Sequence, residues 1–122
     1  MSQAKSKSRI LLVNGDATVQ QLRALMLRME GHHVDTAADL QSARAAVAGR
    51  MYELVIVDLG YFAAPGLAFC EEIKQKRPGQ KVLMQVDPHL FLERETCPDK
   101  IVSKQEGPQH FVHEVQRLLQ AT

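Results

Sequence analysis

From Arg9 onward this sequence alternates between short apolar runs and longer stretches in which apolar residues recur every three or four positions. That alternation constrains the fold more than any other feature. Strands separated by helix-length segments pair in parallel through crossover connections. Residues 10–13, 33–37, 54–57, 82–86 and 101–103 read as five strands. Between them, Val19, Leu22, Met26 and Met29, with Leu25 beside them, fall at the spacing of a first helix that stops near Gly31. Leu40, Ala43 and Val47 mark a second helix, with Asp39 as its N-cap and Gly49 near its C-cap. Leu67, Phe69, Cys70 and Ile73 mark a third that ends before Pro78. Phe111, Val112, Val115, Leu118 and Leu119 line a terminal helix. Asp87-Pro88 is a good N-cap and N1 pair, yet Pro98 limits the length of any helix begun there. The fourth helix, between strands four and five, is therefore expected to be short or irregular.

Five parallel strands joined by right-handed crossovers leave few topologies. The expected fold is α/β, a flavodoxin-like (βα)5 three-layer sandwich with strand order 2-1-3-4-5, whose switch point lies between strands one and three. Leu54-Val55-Ile56-Val57 is apolar throughout, as a strand buried on both faces must be, and Asp58 ends it. Open α/β sheets bind ligands at the carboxyl ends of their strands. The topology therefore brings Asn14, Gly15 and Asp16 beside a carboxylate at a functional edge.

A length of 122 residues fits one domain, with residues 1–8 expected as a disordered tail and residues 9–122 as the folded unit. The chain is 45% hydrophobic and 24% charged with a net charge of +1, which gives no broad attraction to nucleic acid or membrane. No apolar run approaches the ~18 residues of a membrane span, and no signal-peptide core comes after Met1. Cys70 and Cys97 are too few and too unpatterned for a metal site or a disulfide framework, and are expected as reduced thiols in a cytoplasmic protein. His110 and His113 lie one turn apart on the terminal helix without a third ligand in view. Lys74, Lys76, Arg77 and Lys81 cluster at the end of the third helix, where cations favour the helix C-terminus.

The segments Ile10-Leu11-Leu12-Val13-Asn14-Gly15-Asp16, Leu54-Val55-Ile56-Val57-Asp58, Gly66-Leu67 and Ile101-Val102-Ser103-Lys104 together resemble the receiver domain of bacterial two-component response regulators. The resemblance covers residues 9–121. It implies that Asp58 stands at the phosphoacceptor position, that Lys104 is the lysine that contacts the phosphoryl group, and that Gly66 takes the glycine position after the acceptor. It also implies a cytoplasmic signalling module rather than an enzyme. Its partners would be a histidine kinase or a downstream effector, docked on the face of the fourth helix, fifth strand and terminal helix, with a homodimer through the same face as an option. The chain stops right after its last helix, so it is expected to be either a stand-alone receiver or one from which an output domain has been left out.

The sequence departs from the family pattern at the site itself. Asn14 and Gly15 replace the acidic pair that holds Mg2+ in the family, so a metal site drawn from Asp58, Asp16 and Gly60 is expected to be weak or absent. Asp16, just before Ala17-Thr18-Val19, reads more readily as a helix N-cap. Val86 stands where the family keeps a switch Ser or Thr, and Ile101 where it keeps a switch aromatic. Gln105 replaces the proline after the lysine, and Tyr61-Phe62 replace the Met-Pro after the acceptor, where two aromatics can lid the site or pack on the third helix. Without an acidic pair beside it, Asp58 is free to form a standing ion pair with Lys104 that mimics part of the phosphorylated network. The leading expectation is an atypical receiver acting as a largely phosphorylation-independent interaction module. The alternatives are a Mg2+-dependent receiver phosphorylated on Asp58 by a histidine kinase, and a small α/β hydrolase with Asp58 as nucleophile.

Overall fold

The computed structural model describes residues 8–58, 63–87 and 97–120. The expected tail (residues 1–8, of which Ser8 alone is described), the short fourth helix within 88–96, Gly60 and the Tyr61-Phe62 pair therefore lie outside the described residues. Strands β1 (Arg9–Asn14), β2 (His33–Ala37), β3 (Leu54–Asp58), β4 (Lys81–Val86) and β5 (Lys100–Ser103) form one parallel sheet in the order β2-β1-β3-β4-β5. The helices are α1 (Ala17–Met29), α2 (Leu40–Gly49), α3 (Ala63–Lys76) and α4 (Gly107–Gln120), the last entered through a 3-10 turn over Lys104–Glu106. This is the flavodoxin-like three-layer arrangement.

Residues of opposite parity along each strand face opposite layers. Leu11, Val13, Val55, Val57, Val82, Met84 and Val86 pack with Ala43 of α2 and with Phe69, Cys70 and Ile73 of α3. Ile10, Leu12, Leu54, Ile56, Leu83 and Val102 pack with Ala24 and Leu27 of α1 and with Phe111 and Val115 of α4. The central strands are buried on both faces, which is why they read as unbroken apolar runs. Local signals set the helix ends. Asp16 Oδ1 accepts from Val19 N at 3.1 Å, and Asp39 Oδ1 accepts from Ser42 N at 2.8 Å. Gly31, at φ +97°, ends α1 in a conformation that L side chains rarely adopt.

Helix α1 forms where the spacing places it, but its buried face is not centred on the apolar residues that mark it. The face of α1 that meets the sheet takes in only part of the Val19, Leu22, Met26, Met29 stripe: Met26 packs against the core from its margin. Its fully buried residues are Ala24 and Leu27, while Leu22, Leu25 and Met29 are exposed at 56%, 54% and 76%. Gln20 and Arg23 share the inward side, one turn before Ala24 and Leu27. Gln20 Nε2 donates to Asn14 O at 3.0 Å and to Ala37 O at 3.1 Å. The physical reason lies in where α1 sits. Its first turns cross the carboxyl end of the sheet, where polar groups need partners, so the helix turns polar side chains inward and leaves an apolar stripe in water.

Truncation separates the two sides of α1. Leu27→Ala is expected to lower stability by ~3 kcal/mol through a buried cavity. Leu22→Ser should stay within ~0.5 kcal/mol of the parent. Urea denaturation of both variants checks the pair of outcomes.

Candidate functional site

The carboxyl ends of the three middle strands carry a row of polar side chains. Asn14, Asp58 and Gln85 are register neighbours across β1, β3 and β4 and share the parity of the α1/α4 face. All three are almost fully buried: Asp58 and Gln85 expose 2% each. Buried polar groups in a row of this kind must satisfy one another or be satisfied by the helices above them.

Lys104 satisfies Asp58 first. It sits at the start of the turn after β5, and its Nζ lies 2.7 Å from Asp58 Oδ1. Ser103 and Glu106 form a capping box around this turn, which fixes the backbone from which the lysine reaches inward. On the other side Asn14 Nδ2 donates to Asp58 Oδ2 at 3.3 Å. Asn14 cannot turn its oxygen to the site instead, because Asn14 Oδ1 accepts from Asp16 N at 2.8 Å.

A second cation approaches from α1. Arg23 Nε donates to Gln85 Oε1 at 3.2 Å, and the guanidinium lies 5.0 Å from the centroid of the Phe111 ring of α4. Burial pushes the Arg23 guanidinium below its ordinary value, and the nearby Asp58 carboxylate pulls it back up. Arginine stays charged through such shifts. Asp58 is thus one buried carboxylate facing two cations and an amide donor. Gln85 Nε2, buried in the same row, has no hydrogen-bond partner.

The other residues singled out in the sequence fall around this centre in different ways. Asp16 is exposed, and one of its carboxylate oxygens caps α1. Gly15 is exposed, and a Cβ there would meet Ala38 O at 3.6 Å, ordinary contact, so the backbone does not demand glycine at this position. Val86 packs in the opposite layer, with α2 and α3, and Ile101 lies against the same cluster. The β4 side chain beside Asp58 is that of Gln85. Gly66 lies within the first turns of α3. Among the described residues no group of three His, Cys, Asp or Glu side chains is placed to hold a metal ion, and no helix is long and apolar enough to cross a membrane.

Sequence reasoning missed Arg23 and Gln85. Both left a signal. Gln85 is the one polar residue inside the apolar stretch 82–86, and Arg23 lies four residues after Val19 and three before Met26, on an otherwise apolar helical spacing.

Two unit charges 2.7 Å apart attract by ~6 kcal/mol at an effective dielectric of ~20, before the cost of desolvation. Lys104 keeps 30% of its side chain exposed, so the cost of breaking the pair lies between the ~0.5 kcal/mol of a surface pair and the ~3–5 kcal/mol of a fully buried one. Lys104→Ala is expected to lower stability by ~2 kcal/mol in urea denaturation. An unchanged midpoint would show that Asp58 does not depend on the lysine.

Comparison with known proteins gives a consistent set of likenesses. A family model described as the response regulator receiver domain matches residues 10–90. The transcriptional regulatory protein TcrA of Mycobacterium tuberculosis is 38% identical over 76 residues, which cover 62% of this chain and 30% of TcrA. The alkaline phosphatase synthesis transcriptional regulatory protein SphR of Synechococcus elongatus is 30% identical over 118 residues, covering 89% of this chain and 44% of SphR. Among solved structures, the response regulator protein TrrA from Thermotoga maritima in complex with Mg2+ and BeF matches with a TM-score of 0.81 at 26% identity, over 91% of this chain and 98% of that one. The chain spans less than half the length of these curated relatives.

Proposed function

This chain belongs to the response regulator receiver domain family, and from that premise we propose that it works as an atypical receiver, a protein-interaction module whose active-like arrangement does not wait for phosphorylation. The observation that carries the proposal is the buried carboxylate of Asp58, held by Lys104 Nζ at 2.7 Å with Arg23 close by. In this reading Asp58 stands at the phosphoacceptor position, Lys104 contacts its oxygens continuously, and residues 9–122 act as one receiver unit in the cytoplasm.

The donor set argues against a Mg2+ site of ordinary strength. Mg2+ takes oxygen ligands in near-ideal octahedral geometry. Asn14 turns its amide nitrogen to Asp58 and its oxygen to Asp16 N, and Asp16 commits a carboxylate oxygen to the cap of α1. A dication would meet one carboxylate and two cations, a field that repels it. Mg2+ binding is therefore weak or absent in this proposal, and no step is routed through it.

The route outward runs through Arg23. Gln85 Oε1 accepts from Arg23 Nε in the field of Asp58, the guanidinium lies on Phe111, and Phe111 belongs to the helix that comes after Lys104. One turn further on, Met26 and Met29 of α1 and Pro108 and Val112 of α4 line a largely apolar groove of about 420 Å3. Leu22, Leu25 and Met29 leave an apolar stripe exposed beside it. A protein partner, a histidine kinase or a downstream effector, fits such a surface. A face built by β5 and α4 is an alternative place for that partner or for a second copy.

A working phospho-switch is the second reading. Asp58 and Lys104 occupy the acceptor and lysine positions, and the unpartnered Gln85 Nε2 is a donor that a phosphoryl oxygen on Asp58 would satisfy. The third, a hydrolase with Asp58 as nucleophile, has no observation in its favour. Amide NMR decides between the first two. With beryllofluoride, a phosphoryl mimic, and Mg2+ at millimolar concentration, the first reading predicts no shifts at Asp58, Arg23 or Phe111. Saturable shifts that run from Asp58 to α4 would establish the second.

A further inference from the structure

Two cysteines separated by 26 intervening residues meet on the layer of the sheet away from Asp58. Cys70 lies in α3, fully buried among Phe69, Ile73 and Met84. Cys97 lies in the turn that leads into β5, half-buried against the same cluster. Both are free thiols, and their Sγ atoms are 2.6 Å apart. A disulfide needs ~2.05 Å, so ~0.5 Å of approach separates the thiol pair from the bond.

A second contact parallels the first. One turn along α3 from Cys70, Lys74 Nζ meets Asp99 Oδ2 at 2.8 Å, two residues on from Cys97. Asp99 in turn ties down the start of β4, accepting from Val82 N at 2.7 Å and donating its own N–H to Val82 O at 2.8 Å. Two rungs therefore join α3 to the segment 97–99, and the geometry of the thiols is held by an ion pair and by two hydrogen bonds to the backbone of Val82. The pair is not a coincidence of one mobile side chain.

We propose that Cys70 and Cys97 are an oxidisable dithiol, a modification site at which a peroxide or a small disulfide closes a reversible cross-link that staples α3 to the turn before β5. The exposed edge of Cys97 meets the oxidant. With hydrogen peroxide, Cys97 sulfur attacks one oxygen and the O–O bond breaks. Cys97 becomes a sulfenic acid, and the other oxygen leaves as water with the thiol proton. Cys70 sulfur then attacks Cys97 sulfur, the S–O bond breaks, and the hydroxide takes the Cys70 proton as a second water. Two thiols are oxidised by two electrons and one peroxide is reduced to two waters. Burial and the neighbouring Cys97 thiol raise the Cys70 thiol well above its ordinary value, which suits the buried sulfur to the second step rather than the first. In a reducing compartment such a cross-link is transient, as a sensor requires. The site is independent of Asp58, and its failure would leave the proposed function untouched.

The test uses the full chain. Reduced protein is treated with hydrogen peroxide, or with glutathione disulfide, then alkylated under denaturing conditions and weighed intact. The expected product is a monomer that has lost two hydrogens, takes up no alkylating agent, and regains both thiols with a reductant. Cys97→Ser, a near-isosteric change at a partly exposed position, should leave Cys70 fully alkylatable after unfolding. Two alkylated cysteines after oxidant, a lasting glutathione adduct, a sulfinic acid on Cys97 or a covalent dimer would each overturn the proposal. Hydrogen exchange reads the staple directly. Amides of residues 97–103 should exchange more slowly in the oxidised monomer, and unchanged rates would refute the restraint on β5.

Discussion

The contact between Lys104 Nζ and Asp58 Oδ1 at 2.7 Å is the interaction on which the rest of the site depends. A carboxylate with 2% of its surface exposed is costly to bury unless its charge is met. Lys104 meets it from the end of β5, Asn14 donates from the end of β1, and Arg23 supplies a second positive charge from α1. Together these three partners offset the buried charge from three different elements. In the proposed reading, this neutralisation is what weakens the pull of the site on a dication.

The same constraint explains the unusual face of α1. Polar groups at the carboxyl end of the sheet need donors and acceptors, and Gln20 and Arg23 provide them from the inward side of the helix. That rotation leaves Leu22, Leu25 and Met29 outside. An apolar stripe in water and a satisfied polar row beneath it are two consequences of one helix orientation. Arg23 links them, since its guanidinium joins Gln85 of the sheet to the ring of Phe111 on α4.

Most of the fold was legible because period-two and period-3.6 patterns are local. The apolar runs that end at Val13, Val57 and Val86 could only be central strands, and parallel pairing with right-handed crossovers then set their order. Asp58 was legible as a polar residue ending such a run, and Lys104 through its place after the fifth strand together with the family resemblance. The faces of α2, α3 and α4 were legible as well, and what the spacing did not report was how α1 rolls. Val19, Leu22, Met26 and Met29 form a good stripe by spacing, yet the buried side is centred on Ala24 and Leu27, with Met26 at its margin and Leu22 and Met29 exposed, and no local pattern reports that choice. Strand parity could have moved attention from Val86 to Gln85, because Asp58 pairs with Gln85 in register. The meeting of Cys70 with Cys97 joins a helix to a distant turn, a tertiary fact that spacing does not carry.

In the proposed reading the charge set around Asp58, rather than the backbone, sets the Mg2+ affinity. Gly15 has ordinary backbone and room for a side chain, so an acid can be restored there without strain. The direct measurement is calorimetric Mg2+ affinity for the parent and for the double substitution Asn14→Asp with Gly15→Asp. The predicted result is no measurable heat for the parent at millimolar Mg2+ and a clear, saturable binding isotherm once the two carboxylates are restored. Saturable Mg2+ binding by the parent, of the same strength as by the substituted protein, would contradict it.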